Sequence, residues 1–128
     1  MKGEQFLTEP QQYASVYARG RSWVTGLIVM RAIPNHLALS RYGFSVSKRV
    51  GNAVVRNKMK RRLREILRVM PLRAGWDIVF IVRPAAATAD FTAFKSSVKG
   101  LLSRSQLLAS DREHGLLAGV KVGSGDAS

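Results

Sequence analysis

The spacing of apolar positions changes repeatedly along this chain, and each change marks an element. Tyr13, Val16 and Tyr17 recur at helical spacing. Ahead of them Thr8-Glu9-Pro10-Gln11 reads as a helix start: Thr8 caps, Gln11 sits three residues on as in a capping box, and Pro10 falls in the first turn. Gly20 reads as the stop. Residues 22–33 are rich in Trp, Val, Thr and Ile and predict strand, bulged or broken in two at Gly26. Pro34-Asn35-His36 is turn chemistry. Over 39–47, Tyr42, Phe44 and Val46 alternate with smaller or polar residues, a second strand. The short turn between the two strands predicts that they pair antiparallel.

From Asn52, a good N-cap, a helix is expected to about Val69, with Pro71 beyond it as the stop. Val55, Met59, Leu63, Ile66, Leu67 and Met70 make one apolar stripe along it. Residues 76–82 read as a buried strand ended by Arg83-Pro84. Asp90 then caps a last helix that turns Phe91, Phe94, Val98, Leu101, Leu102 and Leu108 inward. After Ser110 the chain changes to Gly, Ser and scattered charge, so 1–110 is read as the domain and 111–128 as a flexible tail. The order α-β-β-α-β-α predicts an α+β sandwich, one sheet with its helices on one face.

Composition agrees with one globular domain: 128 residues, 46% of them hydrophobic. With no cysteine there is no disulfide framework, cysteine nucleophile or cysteine-ligated zinc. No apolar run approaches the length of a membrane span, and the first residues lack a signal peptide's apolar segment, so a cytoplasmic protein is expected. Charge changes the picture more. The chain carries 21 Lys+Arg against 8 Asp+Glu, a net +13, and the window 41–73 holds eleven of those bases with the single acid Glu65. An excess of that size points to a polyanionic partner.

Hydrolytic chemistry is not visible. The eight acids form no tight motif. Glu9, Glu65 and Asp90 read as helix-end or i,i+4 partners, and neither His36, in a turn, nor His114, in the tail, belongs to a nucleophilic set. The predicted long helix instead carries Arg56, Asn57, Lys60, Arg61, Arg64 and Arg68 on one flank of its apolar stripe. Arg56, Lys60, Arg64 and Arg68 repel one another at i,i+4 spacing, and phosphates relieve that conflict. Nucleic acid is favoured over a membrane surface. Tyr13 and Tyr17 have two readings: packing of the first helix on the sheet, or a stacking surface for unpaired bases.

The run from Tyr42 through Ser47, Lys48, Arg49, Gly51, Asn52, Ala53, Arg56, Asn57, Lys60, Arg61 and Arg64 closely resembles the signature of the bacterial ribonuclease P protein subunit, including its Arg-Asn-x-x-Lys-Arg-x-x-Arg core. The resemblance implies a mainly antiparallel sheet with a left-handed βαβ crossover, the fold of the second domain of a small-subunit ribosomal protein. It implies a protein cofactor of an RNA enzyme, the holoenzyme that removes the 5′ leader of precursor tRNA, with Mg²⁺ held mainly by the RNA subunit and no catalytic or metal-binding residue on this chain. Ribonuclease P RNA and precursor tRNA are the implied partners, without membrane or small-molecule substrate. Carried across by position, Lys48, Arg49, Arg56, Asn57, Lys60, Arg61, Arg64 and Arg68 contact RNA, and Tyr13 and Tyr17 line a cleft for the leader. Residues 1–10 hold one Lys and two Glu where the family often begins with a basic arm. A ribosomal or other structural RNA-binding protein needs the same basic helix and is the rival reading.

Overall fold

The apolar run 78–82 decides the topology. In the computed structural model, which describes residues 6–109, this run forms most of one of the two interior strands of a four-stranded sheet. The elements are helix α1 (Pro10–Arg19), strands β1 (Arg21–Val24), β2 (Ile28–Pro34) and β3 (Arg41–Val46), helix α2 (Ala53–Arg68), strand β4 (Trp76–Val82), a 3-10 turn over Pro84–Thr88 and helix α3 (Phe91–Arg104). The first strand segment is indeed split, with Gly26 in the connection between β1 and β2.

Sheet order is β1-β2-β4-β3, so the expected antiparallel pairing of β2 with β3 does not form. Instead β4 lies between them, antiparallel to β2 and parallel to β3. Burial gives the reason. β4 is apolar at consecutive positions and needs cover on both faces, whereas β3 offers Arg41, Gly43 and Ser45 on one of its faces. The strand with most to bury takes the inner place. The β3–α2–β4 crossover then joins adjacent parallel strands, and two of the three strand pairings are antiparallel.

The two faces of β4 carry two cores. Ile78, Phe80 and Val82 pack with Ile28, Met30, Met59, Leu63, Phe94 and Leu101 in the larger core, beneath α2 and α3. Val79 packs with Leu7 and Val16, flanked by Tyr13, Ile33 and Ile81, beneath α1. The expectation of helices on one face therefore holds for α2 and α3, while α1 covers the opposite face. Val16, the one fully buried residue of α1, seals it there.

Local readings shift in two places. The start of α1 is one residue later than expected: Glu9 takes the cap position and the Gln12 side chain accepts from the backbone N–H of Thr8 (2.8 Å) and Glu9 (2.9 Å). Phe91 does not turn inward. It is exposed, with the Arg62 guanidinium 5.7 Å from its ring centre. The caps of α2 and α3 are as the sequence predicts: Asn52 Oδ1 accepts from Val55 N–H at 3.0 Å and Asp90 Oδ1 from Ala93 N–H at 2.8 Å. Residues 110–128, including the expected tail and His114, lie outside the described residues, as do residues 1–5 of the arm.

Candidate nucleic-acid interface

The basic surface is built by the turn after β3 and by the outer side of α2. Gly51 closes that turn. A Cβ there would lie 2.8 Å from Cβ of Val55, so the loop can pack onto the first turn of α2 only with glycine in this position. Met59, Leu63, Ile66 and Leu67 anchor the helix to the core. Their burial fixes which way the other side chains point. Asn57, Arg61, Arg64 and Arg68 are exposed, Arg56 and Lys60 half-buried, and Lys48 and Arg49 exposed on the turn.

All eight of the expected RNA-contacting side chains lie on this one surface, and among the described residues none of them makes a side-chain hydrogen bond or an ion pair. Glu65 is exposed and forms no ion pair with Arg61 one turn away, so its expected i,i+4 role is not realised. The first turn of α2 holds no acid either, leaving the positive end of the helix dipole uncompensated beside Lys48 and Arg49. Arg56 goes furthest: its Nε is enclosed by the protein yet has no acceptor. Leaving such a donor unmet costs about 1–3 kcal/mol. A surface of unpaired guanidinium and ammonium groups has the chemistry of a phosphate receptor.

The tyrosines lie elsewhere, on the sheet face opposite α2. Tyr13 reaches from α1 across to β3, where its ring occupies the space above Gly43. A Cβ at that glycine would lie 2.6 Å from Tyr13 Cζ and 2.7 Å from Cε1. The backbone N–H of Phe44 lies close enough to its hydroxyl to act on it electrostatically. Burial pushes the Tyr13 hydroxyl above its ordinary pKa, and neighbouring Tyr17 adds to this against the opposing pull of that N–H, so the phenol stays neutral. Tyr17, one turn on, is 41% exposed. The two sequence readings thus divide between the residues. Tyr13 packs, and Tyr17 presents its ring to solvent.

Two further residues shape this face. Arg31 of β2 reaches under α1, where its Nη2 donates to the carbonyls of Tyr17 (2.9 Å) and Gly20 (3.0 Å). It thereby caps the negative end of the helix with a cation. Its Nε is buried without an acceptor. Arg41 forks onto Asp77, its partner across β3 and β4, with Nε–Oδ1 at 2.8 Å and Nη2–Oδ2 at 2.7 Å, and Asn35 Nδ2 donates to the same carboxylate at 2.9 Å. Those bonds hold the Arg41 guanidinium above its ordinary pKa despite the opposing cost of burial. Sequence reading passed over Gly43 and Arg31. A glycine inside an otherwise ordinary strand signals the close approach of another group, and an arginine in an apolar strand signals a partner to be found.

No group of three or more acidic, histidine or cysteine side chains converges among the described residues. Asp77 is committed to Arg41 and Asn35, Glu9 and Asp90 sit at helix starts, and Glu65 stands alone on α2. These acids do not fit a divalent-cation site. No helix among the described residues is long and apolar enough to cross a membrane.

The sequence matches the family model described as Ribonuclease P over residues 1–106. A ribonuclease P protein component from Dehalococcoides mccartyi strain CBDB1 is 48% identical over 113 residues, covering 88% of this chain and 94% of that protein. Among solved structures, the RNase P protein of Staphylococcus aureus superimposes with a TM-score of 0.76 at 28% identity, over 81% of this chain and 97% of the other. The RNase P protein from Thermotoga maritima gives 0.69 at 31% identity, over 77% and 96%.

Proposed function

This chain belongs to the bacterial ribonuclease P protein family and is a protein subunit of that ribonuclease, and we propose that it divides its RNA contacts between two faces of one sheet. On one side, Lys48, Arg49, Arg56, Asn57, Lys60, Arg61, Arg64 and Arg68 bind phosphates of the catalytic RNA subunit. On the other, Tyr17, held in place by Tyr13 and Arg31, offers a stacking surface to the single-stranded 5′ leader of precursor tRNA.

The observation that carries this reading is the unpaired state of the basic surface: all eight side chains are without a protein partner among the described residues. A merely solvated charged face would mix signs, and here Glu65 is the sole acid on α2. Family membership sets the ribosomal alternative aside.

Mg²⁺ belongs to the RNA in this account, since the chain's described acids are scattered or already engaged. The protein binds and orients. It anchors the RNA subunit through phosphates and holds the leader so that the scissile bond meets the metal-bearing RNA. The reading places the chain in the cytoplasm. Reconstitution tests it: with a bacterial ribonuclease P RNA at low Mg²⁺ the chain should restore leader removal from precursor tRNA. The chain alone should cut nothing, and RNA-free cleavage by the pure protein contradicts the proposal.

A further inference from the structure

At the C-terminal end of α2 the structure forms a half-open cavity of about 250 Å³. Leu39, Tyr42, Leu67, Met70 and Leu72 supply apolar surface to it, and Arg68 stands in its lining. The space is smaller than the ~300–1,000 Å³ of pockets for drug-sized ligands. A flat group of one or two rings fills it.

Hydrogen bonds within and between two loops fix part of its lining. The Asn35 backbone N–H donates to Gly75 O (2.8 Å), its side-chain Oδ1 accepts from Leu37 N–H (2.8 Å), and its Nδ2 donates to Leu39 O (3.2 Å). Ser40 Oγ donates to Arg73 O (2.6 Å) and accepts from Trp76 N–H (3.0 Å). The cavity is preformed and resists collapse.

Three features define what fits. One part of the wall is aliphatic and aromatic and suits the face of a ring, while more of the exposed lining is polar and suits a base's edge. The end of α2 leaves carbonyls without i+4 donors. Those of Ile66 and Leu67 are taken by Val69 and Met70, which leaves the carbonyl of Arg68 as an acceptor among the described residues. The Arg68 side chain has no protein partner there, and it is the last rung of the ladder Arg56, Lys60, Arg64, Arg68. A phosphate backbone tracking along that ladder arrives at the cavity mouth.

We propose that this cavity receives one unpaired nucleobase of the bound RNA, its ring face against the apolar wall and the adjoining phosphate on Arg68. The inference rests on the reading of α2 as the RNA-facing helix, and its test is independent of the rest of that surface. The full chain, labelled at its Leu and Met methyls, is titrated with AMP and separately with ribose 5-phosphate, which keeps the phosphate and lacks the base. AMP should shift the methyls of Leu39, Leu67, Met70 and Leu72 and bind at least about fivefold more tightly than ribose 5-phosphate, the low end of what stacking one base is worth. Filling the cavity with Ala74→Leu or Ala38→Leu should erase that preference with the fold intact, Arg68→Gln should weaken both ligands, and Lys95→Ala, exposed on α3, should leave both affinities unaltered. Equal affinity for the two ligands, or AMP shifts confined to the outer face of α2, overturns the proposal. Equal affinity for the two ligands alongside a normal salt dependence of RNA binding overturns the cavity proposal and leaves the basic-surface reading standing.

Discussion

The ring of Tyr13 lies where a side chain of residue 43 would be, so helix α1 and strand β3 meet only because position 43 is glycine. Through that contact a packed residue, Tyr13, sets the place of an exposed one, Tyr17, a turn further along the same helix. Gly43→Ala should therefore act at a distance. Overpacking of this kind costs about 1–3 kcal/mol, and displaced α1 should carry Tyr17 with it. Urea denaturation should show the stability loss, and leader-bearing substrate should bind more weakly while RNA-subunit affinity stays near that of the parent.

Arg31 fastens the other end of the same helix. Arg31→Met removes a cation and two hydrogen bonds from the carbonyls of Tyr17 and Gly20. Hydrogen bonds to a charged group are worth about 1.5–3 kcal/mol, so a loss within that range is expected in a denaturant melt. Arg31→Lys should recover only part of it, because both bonds come from Nη2 at the end of a longer side chain, a position the lysine ammonium does not reproduce. Hydrogen exchange at the last turn of α1 should accelerate in both variants.

The Arg41–Asp77 pair should be worth more to break than to keep. Asp77→Asn leaves a cation facing a neutral amide, with side chains only 23% and 8% exposed in the parent. Removing one partner of a buried pair costs about 3–5 kcal/mol, and partial exposure of Arg41 puts the expected loss at the lower end, ~3 kcal/mol. The double change Arg41→Met with Asp77→Leu should recover much of that in a thermal melt.

On the basic surface each phosphate contact has a salt signature. Single changes Lys60→Ala, Arg61→Ala and Arg64→Ala should each reduce the log–log dependence of RNA affinity on salt by about 0.7–0.9, according to strandedness. Stability should hardly change, or rise slightly for Lys60→Ala and Arg64→Ala, where like charges at i,i+4 spacing are relieved; Arg61, with Asn57 and Glu65 at that spacing, relieves none.

Much of this was legible in the residues. The stripe from Met59 to Leu67 oriented α2, and the caps Asn52 and Asp90 placed two helix starts. What escaped has a common cause. Strand order depends on which strand has two faces to cover, a comparison across the whole sheet, whereas a short turn between β2 and β3 speaks only for its neighbours. The face taken by α1 likewise depends on Val79 and Ile81 finding cover, which a reading of α1 alone does not include. Within the site, the basic residues were readable because their surface needs no partner inside the chain. Gly43 and Arg31 were not, because each acts through a residue distant in sequence: Tyr13 for the one, the carbonyls of Tyr17 and Gly20 for the other.

The division of RNA contacts between two faces is tested most directly by the Tyr17→Ala holoenzyme, its affinity for leader-bearing precursor tRNA set beside that for mature tRNA. Tyr17 is exposed enough for its loss to leave the fold intact. Loss of one stacked base is worth ~1–3 kcal/mol, so precursor affinity should fall by a factor of about 5 to 150. Affinity for mature tRNA, which has no leader, should stay the same. An equal fall for both RNAs, or none for the precursor, contradicts the account.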